Sequence, residues 1–187
     1  IDEGAAGLAA YLCFGIDDTL RNNANDWADG GWDDIYNDTL TGLRWFNGRT
    51  SDYGAGFLFM SYLEDKLGGA PAIRSLIADT SLGGNGIENL ARNPGSGSTL
   101  IGSTMTEIFA NFTAAVVLDS PQGALGFSDL EMSDDCGSGQ LCKVQPTGSN
   151  EQWDDDWQWT GNSIEGWGFA TFRFSQGTGD PLNLMVQ

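Results

Sequence analysis

The groups of this chain that could do chemistry are carboxylates, phenols and thiols, with no imidazole among them. Its 187 residues carry 26 Asp plus Glu, 8 Lys plus Arg, four Tyr, three Cys and no His. A serine or cysteine nucleophile activated by histidine is therefore excluded within the chain, as is a zinc site built on imidazole ligands. The formal net charge of -18 excludes a reader of phosphate backbones, which needs a basic face. It also argues against docking on an anionic membrane surface. The chemistry left is cation binding by carboxylates, oxyanion stabilisation by a phenol, and disulfide formation.

Glu3 stands in the first turn of an expected helix, where the helix dipole favours a carboxylate even without a functional role. Tyr53 opens a second expected helix; its ring could simply pack there. Asp154, Asp155 and Asp156 lie between Trp153, Trp157 and Trp159. They read as a calcium loop, as an aromatic surface for a sugar or peptide, or as an acidic loop pinned to the core by its tryptophans. Asp26, Asp29, Asp33, Asp34 and Asp38 also offer oxygen ligands, but their spacing is not that of an EF-hand loop, and a solvated acidic loop is favoured. Cys136 and Cys142 enclose a five-residue flexible connector, which suits a local disulfide and an oxidising compartment. Cys13 lies in an apolar run and reads as a buried thiol. Asn37 and Asn111 begin formal glycosylation sequons, the second inside an amphipathic helix.

The elements that must position these groups are helical first. Residues 2–14 read as a buried helix of small residues. Residues 17–52 are polar and read as a long loop with short elements. Phe57, Met60, Leu63 and Leu67 recur at helical spacing within 53–67, and Gly68-Gly69 ends that helix. Pro71 opens a helix to about Ala78, a short one spans 86–92, and 103–118 is amphipathic. Beyond Pro121 the character changes. Trp167 to Phe174 alternates at period two, and Pro181 to Val186 forms a second strand of a hairpin. The fold class expected is α+β, with a helical unit at 1–120 and a β-rich segment at 121–187. No stretch reaches the roughly 18 apolar residues of a membrane span. No basic and then apolar leader precedes the first helix, and the chain opens on Ile1, so a processed or truncated product is expected.

Three stretches resemble a known family. Ile1-Asp2-Glu3-Gly4, followed by Ala-Ala-Gly-Leu-Ala-Ala-Tyr-Leu, resembles the third-ligand helix of the gluzincin zinc peptidases, with Asp2 where that family usually has Asn. Asp52-Tyr53-Gly54-Ala55-Gly56, running on to Tyr62-Leu63, resembles the Tyr-x-x-Gly helix start of the aminopeptidase branch and of secreted hyicolysin-like and immune-inhibitor-like peptidases. Residues 166–186 are similar to the first hairpin of the domain that follows the catalytic unit in the secreted enzymes. The resemblance implies a zincin-like helical subdomain followed by a β segment. It implies Glu3 as a zinc ligand and Tyr53 as the stabiliser of the oxyanion. The His-Glu-x-x-His helix of that family is absent, so two zinc ligands and the general base must come from an upstream half of the same protein or from another chain.

The function expected is that of part of a secreted, extracellular zinc metallopeptidase, a hydrolase of peptide substrates that is inert alone. The other reading is a non-catalytic extracellular structural or adhesive module with calcium-stabilised acidic loops.

Overall fold

The computed structural model describes residues 2–29, 49–81, 84–93, 101–120, 123–134, 137 and 139–144, with the backbone at 151–152 and 174–175. Among these, the helices are α1 Asp2–Phe14, α2 Asp18–Ala28, α3 Thr50–Leu67, α4 Gly69–Ala78, α5 Gly84–Ala91 and α6 Met105–Leu118. The strands are β1 Met132–Ser133, β2 Leu141–Cys142, β3 Glu151–Gln152 and β4 Phe174–Ser175. The order is helical first with short strands after, compatible with the α+β class. β1 pairs in parallel with β2, and β3 in parallel with β4. The expected hairpin and the Asp154–Asp156 loop lie outside the described residues, as does Cys136.

Helix α3 is the shaft of the fold. Phe57, Leu58, Phe59, Met60, Tyr62, Leu63 and Leu67 are all buried, so apolar side chains leave it on nearly every side. A helix of that kind needs neighbours all round. The Arg49 N–H donates to the Asp52 carboxylate (3.2 Å) and starts the helix a turn before the expected boundary. Gly68 ends it in the left-handed region (φ 111°), which glycine reaches without a Cβ clash, and the chain turns into α4.

Helix α2 corrects the expected long loop. Asp17 caps it by accepting the Leu20 N–H (2.8 Å), and Leu20, Ala24, Trp27 and Ala28 recur at helical spacing beneath a polar composition. Trp27 then stacks on Phe112 of α6, with ring centres 5.9 Å apart. Phe59 and Tyr62 of α3 meet the same ring at 5.1 and 5.7 Å. Aromatic pairs of this kind add roughly 0.5–1.5 kcal/mol each beyond area burial.

Helix α6 begins with a capping box: the Glu107 N–H donates to the Thr104 hydroxyl (3.3 Å), and the Thr104 N–H to the Glu107 carboxylate (3.1 Å). It ends at Asp119, which sits in the left-handed region (φ 42°). The Asp119 carboxylate accepts the N–H groups of Phe127 (3.2 Å) and Met132 (2.9 Å), folding residues 123–132 back onto the helices. The Val144 N–H donates to the Val116 carbonyl (2.9 Å), and Asn25 of α2 brackets β2 through Gln140 and Cys142. Phe127, Leu130, Met132, Leu141 and Val144 therefore share one core with the helices.

Asp119→Ala should lose both charged hydrogen bonds and strain the left-handed residue, destabilising the chain by about 2–4 kcal/mol. Asp119→Asn, which tolerates that backbone but keeps one acceptor oxygen, should cost about half as much. Urea unfolding measures both; equal losses would contradict this account.

Candidate functional site

Two glycines set the relation between α1 and α3. A Cβ on Gly4 would run into the carbonyl oxygen of Gly56, and one on Gly56 would lie 3.2 Å from the Gly4 Cα. Bare backbone meets bare backbone at this crossing. One turn further along α1, Gly7 faces the Phe57 Cβ, and Tyr11 meets the Phe57 ring edge-on at 5.9 Å. Tyr11 also lines a cleft with Ser61 and Glu64. Gly4, Gly7 and Tyr11 of α1 thus all meet the Gly56–Phe57 turn of α3, and Tyr11 reaches on toward Ser61 and Glu64.

Glu3 precedes the Gly4 contact by one residue, and Tyr53 precedes Gly56 by one turn. Both are exposed, Tyr53 at 37%. Each stands in the first turn of its helix, where the positive end of the helix dipole favours a carboxylate or a developing oxyanion.

Helix α1 is otherwise less covered than expected. Gly4 and Leu8 are its buried residues, whereas Leu12 is 48% and Phe14 89% exposed. Cys13, expected to be buried, is an exposed free thiol. The reason is geometric. Positions 4, 7, 8 and 11 form the face against α3, and residue 13 leaves the helix on another side. The Asn111 amide donates to the Ile101 (3.2 Å) and Glu107 (3.1 Å) carbonyls, so it is engaged in holding α6 rather than presented as a glycan acceptor.

A second constellation was not anticipated. Tyr11, Ser61, Glu64, Asp65, Phe127, Asp129 and Leu130 line a cleft between α1, α3 and the segment after α6. The segment is held by the Tyr11 hydroxyl on the Asp129 carbonyl (3.0 Å), the Tyr62 hydroxyl on the Ala124 carbonyl (2.8 Å) and the Ser128 N–H on Asp65 (2.8 Å). Burial first, then the charges of Asp129 and Asp65, raise the Glu64 carboxyl above its usual range. Burial also raises Tyr11 and Tyr62, with nearby carboxylates adding to the shift, so both phenols stay protonated donors. A local signal was present: Ser61, Glu64 and Asp65 stand at i, i+3 and i+4. Its partner Asp129 could be placed only by the turn at Asp119.

Among the described residues, no group of three or more His, Cys, Asp or Glu could hold a metal ion. Glu3 therefore offers a single carboxylate, and the residues present do not by themselves fit a zinc centre. No helix among the described residues is long and apolar enough to cross a membrane. No protein-family model matches the chain, and no curated protein matches it.

Gly4→Ala should force α1 and α3 apart and cost about 1–3 kcal/mol by overpacking. Gly7→Ala meets the Phe57 Cβ at 3.3 Å and the movable Leu20 Cδ2 at 3.4 Å, milder contacts than the Gly56 carbonyl, and should cost less, since alanine also favours the helix. Chemical denaturation of the two variants tests the crossing; a Gly7→Ala loss as large as that of Gly4→Ala would contradict it.

Proposed function

We propose that this chain is the C-terminal part of the catalytic unit of a secreted zinc peptidase, working only with polypeptide that carries a His-Glu-x-x-His helix. The observation that supports this reading is the Gly4–Gly56 backbone contact between α1 and α3, one residue after Glu3 and one turn after Tyr53, both of which are exposed. The resemblance assigns a metal ligand and an oxyanion donor to those two positions, and one centre can use both only if they share an end.

Bound zinc, where histidines from elsewhere complete the site, would lower the pKa of water and polarise a carbonyl. The roles left to this chain are narrow. Glu3 contributes a carboxylate from a helix start that is fixed by backbone contact rather than by a movable side chain. Tyr53 donates its hydroxyl to the oxygen that becomes negative as a peptide carbonyl is attacked, an interaction made mainly in the transition state. The Cys136–Cys142 disulfide and the extracellular location belong to the same proposal, as does the zincin-like nature of the helical unit.

The non-catalytic extracellular module is the second reading. The missing histidines and the lack of a three-ligand group among the described residues favour it. The two readings separate on the native, full-length protein. The peptidase reading expects zinc by elemental analysis, loss of that zinc in Glu3→Ala, and zinc retained in Tyr53→Phe with kcat down about 100- to 1,000-fold. Zinc unchanged by Glu3→Ala would refute the ligand role, and a full-length protein without zinc or peptidase activity would favour the module.

A further inference from the structure

Residues 123–132 meet α1 and α3 partly through like charges. Glu64 of α3 and Asp129 of the segment line one cleft, together with Asp65 and Tyr11. Asp65 is engaged: its carboxylate accepts the Ser128 N–H (2.8 Å) and pairs with the buried Lys66 ammonium (2.9 Å). The charges that act on Glu64 are those of Asp129 and Asp65, both negative.

The groups around Glu64 come from every element packed there. Its own helix supplies Asp65 and Lys66, which pair with each other. From α1 comes the Tyr11 hydroxyl, neutral and donating to the Asp129 carbonyl (3.0 Å). From α4 comes the Ala70 N–H, which the Glu64 carboxylate accepts, and from the segment comes Asp129. The Ala70 N–H favours the ionised form. Burial and the two carboxylates outweigh it, so the Glu64 carboxyl titrates above its ordinary value of 4.5.

The sign of the effect follows. A carboxyl raised on folding stabilises the folded form fully below its unfolded value, and that contribution is lost as pH rises through the raised value. Asp129 rides on the segment, so part of the cost of ionising Glu64 falls on the contact between the segment and α3. The segment is not released by this. The Tyr11 and Tyr62 hydroxyls hold the Asp129 and Ala124 carbonyls, and Asp119 accepts the Phe127 and Met132 N–H groups. Hydrogen bonds with one repulsive pair among them make a contact that tightens or loosens by degrees.

We propose that residues 123–132 form a pH-sensitive clasp over α1 and α3, drawn down when a proton removes the Glu64 charge beside Asp129 and loosened when both carboxylates are ionised. The clasp is tighter in mildly acidic solution than at neutral pH. It is independent of the zinc reading, since neither Glu3 nor Tyr53 takes part.

Amide hydrogen exchange of the 187-residue chain, read as protection factors at about pH 5 and about pH 7.5, tests it. The Phe127 and Ser128 N–H groups should be severalfold better protected at the lower pH. The Val144 N–H, which donates to the Val116 carbonyl outside the clasp, should not change in step with them. Glu64→Gln should give the higher protection at both pH values. Asp129→Asn, at an exposed position, should raise protection at about pH 7.5 and shrink the pH dependence. Equal protection at the two pH values, or an unchanged dependence in Glu64→Gln, would overturn the proposal. A full dependence kept in Asp129→Asn would leave the segment's charge without a part and overturn the clasp.

Discussion

Helix α3 can be enclosed on nearly every side because glycine lets two other backbones come up against it. Gly56 receives α1 at Gly4, and a Cβ on Gly54 would run into the Asn23 carbonyl of α2. Close approach on two faces leaves the rest of α3 to pack through large side chains. Phe59 and Tyr62 meet Phe112 of α6, and Tyr62 also meets Phe127 from the segment beyond it. The remaining elements take their places from that shaft. Were the glycines replaced by larger residues, α1 and α2 would stand off, and the first turns of α1 and α3 would separate.

That constraint links packing to chemistry. The approach of α1 to α3 is a consequence of the glycine contact and of the Gly7–Phe57 and Tyr11–Phe57 contacts that follow it. The proposed function needs that approach to hold Glu3 and Tyr53 in range of one centre. The other end of the same interface holds the cleft of Ser61, Glu64 and Asp129. One helix pair thus carries two polar constellations, the first exposed at its start and the second where the chain returns after α6.

Legibility from sequence followed the range of the interactions. Helices α3, α4, α5 and α6 were readable because apolar periodicity and Gly or Pro punctuation are local. Helix α2 was not, since its aspartates and asparagines outweigh Leu20, Ala24 and Trp27 in any reading by composition. Helix α1 was readable as a helix, but its exposure was not: small apolar residues look the same whether a neighbour covers one face or all of them. The approach of α1 to α3 near Glu3 and Tyr53, and of Asp129 to Glu64, depends on contacts that span many tens of residues. A family resemblance could pair the first two; nothing local could pair the second. Asp119 was silent for a related reason, because an aspartate after a helix shows its two distant N–H partners only once the chain has folded back.

The proposed function makes Glu3 one ligand of a zinc centre whose nitrogen ligands come from a histidine helix outside this chain. X-ray absorption at the zinc edge of the native, zinc-loaded protein tests it most directly. The account predicts a shell of nitrogen and oxygen only, with two imidazoles and a carboxylate at about 2.0–2.2 Å. A sulfur scatterer at about 2.3 Å, or a first shell without carboxylate, would contradict it.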